Sequence, residues 1–186
     1  MSSAAYAPSR PAAAAASARR KLFLLFRIGT DRYVLDAACV QQVLPLQLLK
    51  QLPGAPDWVA GMLSGLAQPV PVIDLSALAI GRPARSVTST RIVLVEYHGN
   101  QASTGGRQPP RTLGLVLERA TETIHRDASA FVPSGLDNPG ARYLGPVLNE
   151  AEGMVQWVSV EALLPEAVQA LLFPADAQAT DGGLSP

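Results

Sequence analysis

The chain offers few residues that could carry chemistry, and they do not form a catalytic set. Its single cysteine, Cys39, lies in the apolar run 37–40, where a buried structural thiol is the favoured interpretation. The two histidines, His98 and His125, have no Cys, Asp or Glu partner at the spacing of a zinc site. We therefore expect ordinary surface histidines, no metal centre and no nucleophile–histidine pair.

Two further patterns could be mistaken for functional motifs. Residues 61–65, Gly-Met-Leu-Ser-Gly, lack the Lys-Ser/Thr ending of a phosphate-binding loop. Asp74 could serve as an acid, but its place directly before Leu-Ser-Ala favours a helix cap. No basic patch with interleaved aromatic residues occurs, which argues against nucleic-acid binding. The sequence thus predicts a non-enzymatic interaction module that needs no cofactor.

The composition agrees with an interaction module. A length of 186 residues suits one domain or two small subdomains, and 48% hydrophobic residues can form a core. Charged residues make up only 16%, so we expect exposed apolar area of the kind that marks docking sites. The 15 basic and 15 acidic residues balance to a formal charge of zero, which favours neither nucleic acid nor an anionic membrane.

Cysteine usage and hydropathy set the expected compartment. A single cysteine cannot form an intrachain disulfide, so no secreted framework is implied. No apolar run approaches about 18 residues, so no transmembrane helix and no membrane insertion is expected. A cytoplasmic location is the default expectation.

Short strands separated by turn signals dominate the first half. The expected strands are 22–28, 32–36 and 69–75. Two prolines place the third strand at a sheet edge or at positions that donate no ladder hydrogen bond. Segment 37–44 is too short to assign to helix or strand, and 52–61 predicts an irregular connection. Asp74 is expected to cap a short helix, 75–79, that Gly81 closes.

The second half repeats this pattern of short elements. Its expected strands are 91–97, 113–118, 121–125 and 154–158. Segment 98–111 is expected to be a mobile loop, and 131–153 to be loop-rich. Ser159 is expected to cap a helix, 160–164, and Pro165 to begin another that ends near Phe173.

Composition and internal similarity suggest how the chain is divided. Residues 1–20 and 174–186 are rich in small and polar residues and predict disordered tails around one domain, 21–173. Residues 73–79 resemble residues 158–164, since each segment contains a strand end, a cap and a short helix. Two small pseudo-repeated barrels would produce this similarity, and chance over seven residues is the alternative.

A series of short segments has a specific order and spacing. The series is Phe-Arg-Ile-Gly at 26–29, Tyr-Val-Leu-Asp at 33–36, Leu-Pro-Gly-Ala-Pro at 52–56, Val-Ala-Gly at 59–61 and Val-Pro-Val-Ile-Asp-Leu at 70–75. In this order the chain resembles CheW-like domains, over about residues 22–173. The resemblance implies a mainly β fold of two intertwined, five-stranded β-barrel subdomains around a shared apolar core, with short helices including a C-terminal one.

The resemblance also implies a function. It predicts a non-catalytic adaptor that couples the cytoplasmic tip of a methyl-accepting chemoreceptor to the regulatory domain of a CheA-type histidine kinase, in a two-component array at the membrane. Family positions assign a receptor-binding groove between the barrels to Val40, Gly61, Leu66, Val93, Leu94 and Gly114. They place the kinase-binding surface near Gln42 and Leu44. Core packing is the alternative for each apolar residue.

One departure from the family concerns the receptor side. Many members carry Asn-x-Arg-Gly where this chain has Ser64-Gly65-Leu66-Ala67. Because leucine offers none of the five donors of arginine, we expect either a different receptor tip or an apolar contact.

Other functions remain open at this level. Segments 143–147 and 157–173 resemble CheW-like proteins of surface-sensing (Wsp-type) gene clusters, in which kinase output feeds a second-messenger enzyme. The main alternative function is a ligand-binding sensor barrel that holds a small molecule in the inter-barrel groove. An adaptor for unrelated partners is another alternative, and an enzyme would rest only on Asp74 and His125.

Overall fold

The computed structural model describes residues 20–99, 110–135 and 138–174. In this part of the chain the fold is mainly β, as expected from the sequence, with nine strands and two short α-helices. The strands are β1 (Arg20–Ile28), β2 (Asp31–Asp36), β3 (Val40–Pro45), β4 (Val59–Leu63), β5 (Val70–Asp74), β6 (Arg91–Tyr97), β7 (Arg111–Asp127), β8 (Leu144–Glu150) and β9 (Gly153–Val158). The helices are α1 (Leu75–Ile80) and α2 (Glu166–Leu172).

The strands form two five-stranded units that share β7. Unit A has the order β8-β9-β2-β1-β7 and uses the C-terminal half of β7, whereas unit B has the order β3-β6-β7-β5-β4 and uses its N-terminal half. The predicted pair of five-stranded subdomains is therefore confirmed. Among the described strands, the hydrogen-bonded path stays open in both units.

Each half of the chain contributes strands to both units. The β1–β2 hairpin joins the β8–β9 hairpin because β2 runs parallel to β9, with Val34 opposite Trp157. The β6–β7 hairpin joins the β4–β5 hairpin in the same way, with Ile73 of β5 opposite Leu115 of β7. This reciprocal exchange agrees with the internal repeat between segments 73–79 and 158–164.

The buried apolar residues form three clusters, one inside each unit and one shared between the units. The interior of unit A consists of Phe23, Leu25, Val34, Ile124, Phe131 and Val155, and that of unit B of Leu63, Val70, Val72, Ile92, Leu94 and Val116. The largest cluster takes residues from strands of both units, for example Leu35 of β2 and Ile73 of β5. It is the shared core that the resemblance implies.

Strand β7 serves both units because it changes face near Arg119. The φ of Arg119 is 53°, a left-handed conformation typical of a bulge, and the pairing with β1 shifts register nearby. Before the bulge, Leu117 faces the shared core, and after it, Ile124 faces the interior of unit A. The predicted strands 113–118 and 121–125 are therefore one continuous strand.

The structure corrects several sequence-based assignments. Segment 52–61 contains the start of β4, and segment 131–153 contains β8, so neither is irregular throughout. Of the two alternatives for the prolines of β5, the sheet edge is wrong, because β5 pairs with both β4 and β7. The other alternative, positions that donate no ladder hydrogen bond, stays a prediction. The undecided segment 37–44 forms a 3-10 turn followed by β3.

The two predicted capping residues behave differently. Asp74 caps α1, since its Oδ1 accepts hydrogen bonds from the backbone N–H of Ser76 at 2.9 Å and of Ala77 at 3.1 Å, and Gly81 ends the helix with a φ of 64°. The helix expected over 160–164 is a 3-10 turn over Val160–Ala162. In the part of the chain that the structure describes, the Ser159 side chain makes no capping hydrogen bond.

The predicted tails and the predicted mobile loop lie largely outside the described residues. Arg20 already belongs to β1, where it pairs with Asp127. No helix within 20–99, 110–135 or 138–174 is long and apolar enough to cross a membrane.

Candidate functional site

Several of the candidate site residues lie in one row across unit B. Gln42 on β3 lies opposite Leu94 on β6, and Leu94 lies opposite Gly114 on β7. Gly114 lies opposite Val72 on β5, which lies opposite Gly61 on β4. Directly paired residues share a face of the sheet. Leu94 and Val72 belong to the interior of unit B, whereas Gln42, at the end of the row on the outer strand β3, is exposed.

Close packing requires both glycines of this row. A Cβ at Gly61 would lie 2.5 Å from the carbonyl oxygen of Lys50, and the φ of Gly61 is 134°. A Cβ at Gly114 would lie 2.8 Å from Cγ2 of Val72. Packing therefore explains these two glycines without a partner.

The remaining predicted groove residues differ in what they can reach. Val93 and Leu94 are 0% and 4% exposed, so their side chains are packed inside the domain and are not open to a partner. Val93 belongs to the shared core, and the half-buried Val40 packs against the same core. Leu66, in the turn between β4 and β5, is 39% exposed. Of the six residues, Leu66 and part of Val40 are open to a partner.

The two predicted kinase-side residues lie on β3. Gln42 is exposed, and the half-buried Leu44 packs against the interior of unit B. Their neighbour Val43 is also exposed. Among the described strands, β3 pairs only with β6, so its other edge presents backbone groups that a partner's strand can bind.

One exposed residue was missed in the sequence. Leu48 is 99% exposed, the largest value among the exposed apolar residues. The antiparallel bridge between Lys50 and Met62 brings segment 46–49 close to the start of the β4–β5 turn, which carries Leu66. Segments 46–49 and 64–69 contain no charged residue. Leu48 and Leu66 are thus exposed leucines on two neighbouring uncharged segments, and the two residues are here called the turn patch.

The turn patch has only a partial signal in the sequence. The run Leu-Gln-Leu-Leu at 46–49 has three leucines, and nothing in its local pattern indicates which one is exposed. In the structure, Leu46 and Leu49 pack against the interior of unit B, whereas Leu48 does not.

His98 connects β6 to the turn that follows β9. Its Nε2 lies 2.9 Å from Oε1 of Glu96, and its Nδ1 lies 3.2 Å from Oε1 of Glu161. Its backbone N–H donates to Oε2 of Glu161 at 3.0 Å. These contacts make His98 a structural residue at the surface. Within the described ranges, no group of three His, Cys, Asp or Glu residues is arranged to hold a metal ion.

Cys39 is a protonated structural thiol. It is half-buried in the 3-10 turn between β2 and β3, and its Sγ donates to the carbonyl oxygen of Asp36 at 2.9 Å. Burial raises the pKa of Cys39 to about 12, and the nearby Asp36 carboxylate adds to the effect. A thiol with this pKa is a poor nucleophile near neutral pH.

The fold defines a class of protein, a β domain of two intertwined units with several exposed apolar residues. The CheW-like domain model matches residues 22–168, and the chain belongs to this family of non-catalytic scaffold proteins. The chain is 23% identical to the chemotaxis protein CheW of Klebsiella aerogenes over 152 residues, which cover 81% of this chain and 85% of that protein.

The likeness extends to a solved structure. The crystal structure of the scaffolding protein TtCheW from Thermoanaerobacter tengcongensis matches with a TM-score of 0.65 at 20% identity, covering 78% of this chain and 88% of that one. At this identity the match shows the fold, which is the CheW-like arrangement that the sequence predicts.

Proposed function

We propose that this CheW-like scaffold couples a methyl-accepting chemoreceptor to a CheA-type histidine kinase in a cytoplasmic two-component array. The observation that supports this proposal is the family match, which runs from β1 to α2 and so includes both units. The relative from Klebsiella aerogenes is a chemotaxis protein, and the solved structure is that of a scaffolding protein.

The architecture suits a scaffold that presents two surfaces at once. Strand β7 runs through both units, and the shared core packs them against each other. Two partners bound to such a body are held at a fixed separation, which gives them a high effective concentration for each other. The adaptor role needs this geometry and no chemistry of its own.

The kinase side of the proposal lies on β3. Gln42 and the exposed Val43 would contact the regulatory domain of the kinase, and the open edge of β3 would supply backbone hydrogen bonds. Calorimetry with a CheA-type kinase from the same genome tests this, using the kinase with and without its regulatory domain. We expect micromolar binding that disappears with that domain. Absence of binding to every such kinase would contradict the proposal.

The receptor side of the proposal uses the turn patch. Leu66 stands where many family members carry arginine, and Leu48 is a second exposed leucine on the neighbouring uncharged segment. A partner that binds here would present apolar side chains rather than an acidic group. The buried residues Val93, Leu94 and Gly114 would contribute to this side only indirectly, by packing the strands of unit B.

A charged substitution tests the receptor side. We expect Leu66→Asp to weaken binding to a receptor tip fragment by about tenfold or more, because a carboxylate at an apolar contact loses its hydration. Met154→Asp in unit A is the matched control, since Met154 is also a partly exposed apolar residue. Equal receptor binding by a folded Leu66→Asp protein and the control would exclude the turn patch.

The output of the array is a separate proposal. Segments 143–147 and 157–173 resemble surface-sensing proteins, and we propose that the kinase controls a second messenger rather than a flagellar motor. Deletion of the gene should then change surface attachment and leave swimming unchanged. A swimming defect with normal attachment would assign the protein to motility.

A further inference from the structure

Unit A has two edge strands that its hydrogen-bonded path does not pair with each other. Strand β8 lies at one end of this path, and the C-terminal half of β7 lies at the other. Two contacts nevertheless bring these ends together. Val132, shortly after β7, exchanges backbone hydrogen bonds of 2.9 and 2.8 Å with Val147 of β8. Further along β8, the Glu150 carboxylate accepts a hydrogen bond from Nε of Arg126 on β7. The place where β7 and β8 meet is here called the seam.

Glu150 also joins the seam to a third strand. Its Oε2 accepts a hydrogen bond from Nη1 of Arg32 on β2 at 3.0 Å. The side chains of Arg32 and Glu150 are 8% and 16% exposed, so water and salt screen this pair only weakly. The hydrogen bond from Arg126 is the main cause that lowers the pKa of Glu150 below its ordinary value, and Arg32 adds to it. Glu150 is therefore ionised at neutral pH. Arg126, Glu150 and Arg32 are here called the clasp.

The charges around the clasp make the Glu150 carboxylate hard to replace. Lys21 lies directly opposite Arg126 in the pairing of β1 with β7, and Arg27 lies directly opposite Arg32 in the pairing of β1 with β2. Like charges in directly opposite positions destabilise a sheet. In the part of the chain that the structure describes, Arg126 forms no ion pair other than the one with Glu150. Loss of the Glu150 charge would therefore leave Arg126 without a counter-charge among several cations.

The second ion pair of Arg32 is much weaker. Oε2 of Glu152 lies 3.5 Å from Nη2 of Arg32, but the Glu152 side chain is 81% exposed. An exposed pair of this kind contributes little to stability. Glu150 is thus the residue on which both arginines of the clasp depend.

The seam borders the apolar interior of unit A. Phe131 directly precedes Val132, and its ring packs against Phe23 and Trp157, each at 5.4 Å between ring centroids. In the described structure, the backbone of the seam contributes only the pair Val132–Val147, whereas the neighbouring strands share continuous ladders. A region with few backbone hydrogen bonds is where a folded domain opens locally.

From this geometry we propose that the clasp closes unit A into a barrel, and that unit A opens locally at the seam when the clasp is released. Side chains then do at the seam what a ladder of backbone hydrogen bonds does between the other strands. The opening would separate β8 from the segment after β7 and would loosen the contacts of Phe131, while unit B stays folded. This inference concerns unit A alone and does not rest on the proposed adaptor role.

The test is native-state amide hydrogen exchange of the full chain at neutral pH, followed by NMR. The reporters are the amides of Val132 and Val147 at the seam, and the amides of β6 report on unit B. We expect Glu150→Gln, which keeps the shape but removes the charge, to speed exchange at the two seam amides by about tenfold or more. Exchange in β6 should change by less than about twofold, as expected for a local opening.

Glu122→Gln is the matched control, because Glu122 is an exposed glutamate on the same strand as Arg126. Its seam amides should exchange at the wild-type rate. Unchanged exchange at the seam in Glu150→Gln would overturn the proposal, and so would an equal acceleration in β6, because the loss would then be global.

Two further measurements apply even if Glu150→Gln does not fold. Arg126→Gln leaves the pair Arg32–Glu150 in place and should speed exchange at the seam amides by about threefold or more, again without a change in β6. In the wild-type protein, exchange at Val132 and Val147 should depend only weakly on urea, since a local opening exposes little surface. Urea dependence equal to that of β6 would show that the seam opens only when the whole domain unfolds, which would contradict the proposal.

Discussion

At the residue scale, substitution of Gly61 tests whether this glycine is required by packing within the domain or by contact with a partner. An alanine there would place its Cβ 2.5 Å from the carbonyl oxygen of Lys50, at a φ of 134°. We expect Gly61→Ala to lower the free energy of unfolding by about 2 kcal/mol or more, measured by urea denaturation. The strain arises in the free protein, so this loss needs no partner.

Gly54 provides the control for that substitution. Its φ is 81°, but a Cβ there would meet nothing within 4 Å. Gly54→Ala should therefore lower the free energy of unfolding by about 1 kcal/mol, which is the cost of placing a residue with a Cβ at a positive φ. If both variants lose the same stability, the contact with Lys50 does not constrain Gly61.

Cys39 gives a prediction on pH dependence. With the pKa raised to about 12, roughly 10⁻⁴ of the thiol is ionised at about pH 8, against about a quarter of a free cysteine. Alkylation by iodoacetamide should be slow in the folded protein and should still be rising with pH above about pH 9. Unfolding in urea should restore ordinary reactivity. A plateau near pH 9 in the folded protein would show an ordinary thiol.

Residue roles were predictable where the cause is local. The cap at Asp74 follows from the three residues after it, and the inert character of Cys39 follows from its apolar run. The exposure of Leu48 depends on how segment 46–49 covers unit B, so it has no local signal. The partner-facing roles of Leu66, Gln42 and Leu44 stay predictions.

At the scale of elements, the repeated strand-cap-turn segments offer a matched pair of substitutions. The Asp74 carboxylate accepts hydrogen bonds from the backbone N–H of Ser76, Ala77 and Ala84. We expect Asp74→Ala to lower the free energy of unfolding by about 2–3 kcal/mol, since it leaves one buried and two partly buried donors without their acceptor. Thermal or urea denaturation measures the loss.

The corresponding residue of the second segment is the control. Ser159 makes no capping hydrogen bond in the described structure, so Ser159→Ala should change stability by less than about 0.5 kcal/mol. A loss at Ser159 equal to that at Asp74 would show that the two caps are equivalent in solution.

Strands with an uninterrupted apolar run were predictable from the sequence, whereas strands that contain or follow Pro and Gly were not. The apolar runs of β1 and β6 identify them as strands. Strand β8 contains Gly145 and Pro146, and β4 follows a Pro- and Gly-rich connection, so both look like loops in the sequence. The sequence does not indicate the full length of β7, because the alternation of buried and exposed residues changes phase near Arg119.

At the scale of the whole molecule, the sequence indicates two similar halves but not their exchange of strands. The pairing of β2 with β9 joins residues as far apart as Arg32 and Val155, and no local pattern marks such a contact. Only the family resemblance predicted intertwined units. We expect the exchange to make the domain unfold as one cooperative body, and the proposed adaptor role would benefit from such a body.

The exchange of strands also makes the two halves of the chain depend on each other. A cut between residues 86 and 87 separates β1–β5 from β6–β9. The pairings β1–β7, β2–β9, β3–β6 and β5–β7 all cross the cut. The first fragment keeps the hairpins β1–β2 and β4–β5, and the second keeps β6–β7 and β8–β9.

We therefore expect neither fragment to fold alone, because isolated two-stranded hairpins are marginally stable in water. When mixed, the fragments should form a 1:1 complex with the β-sheet circular dichroism and the elution volume of the intact domain. A cooperative unfolding transition in either fragment alone would contradict the intertwined arrangement. Every pairing between hairpins crosses the cut. Recovery of the fold on mixing would therefore show that each unit forms only when both halves of the chain supply its strands.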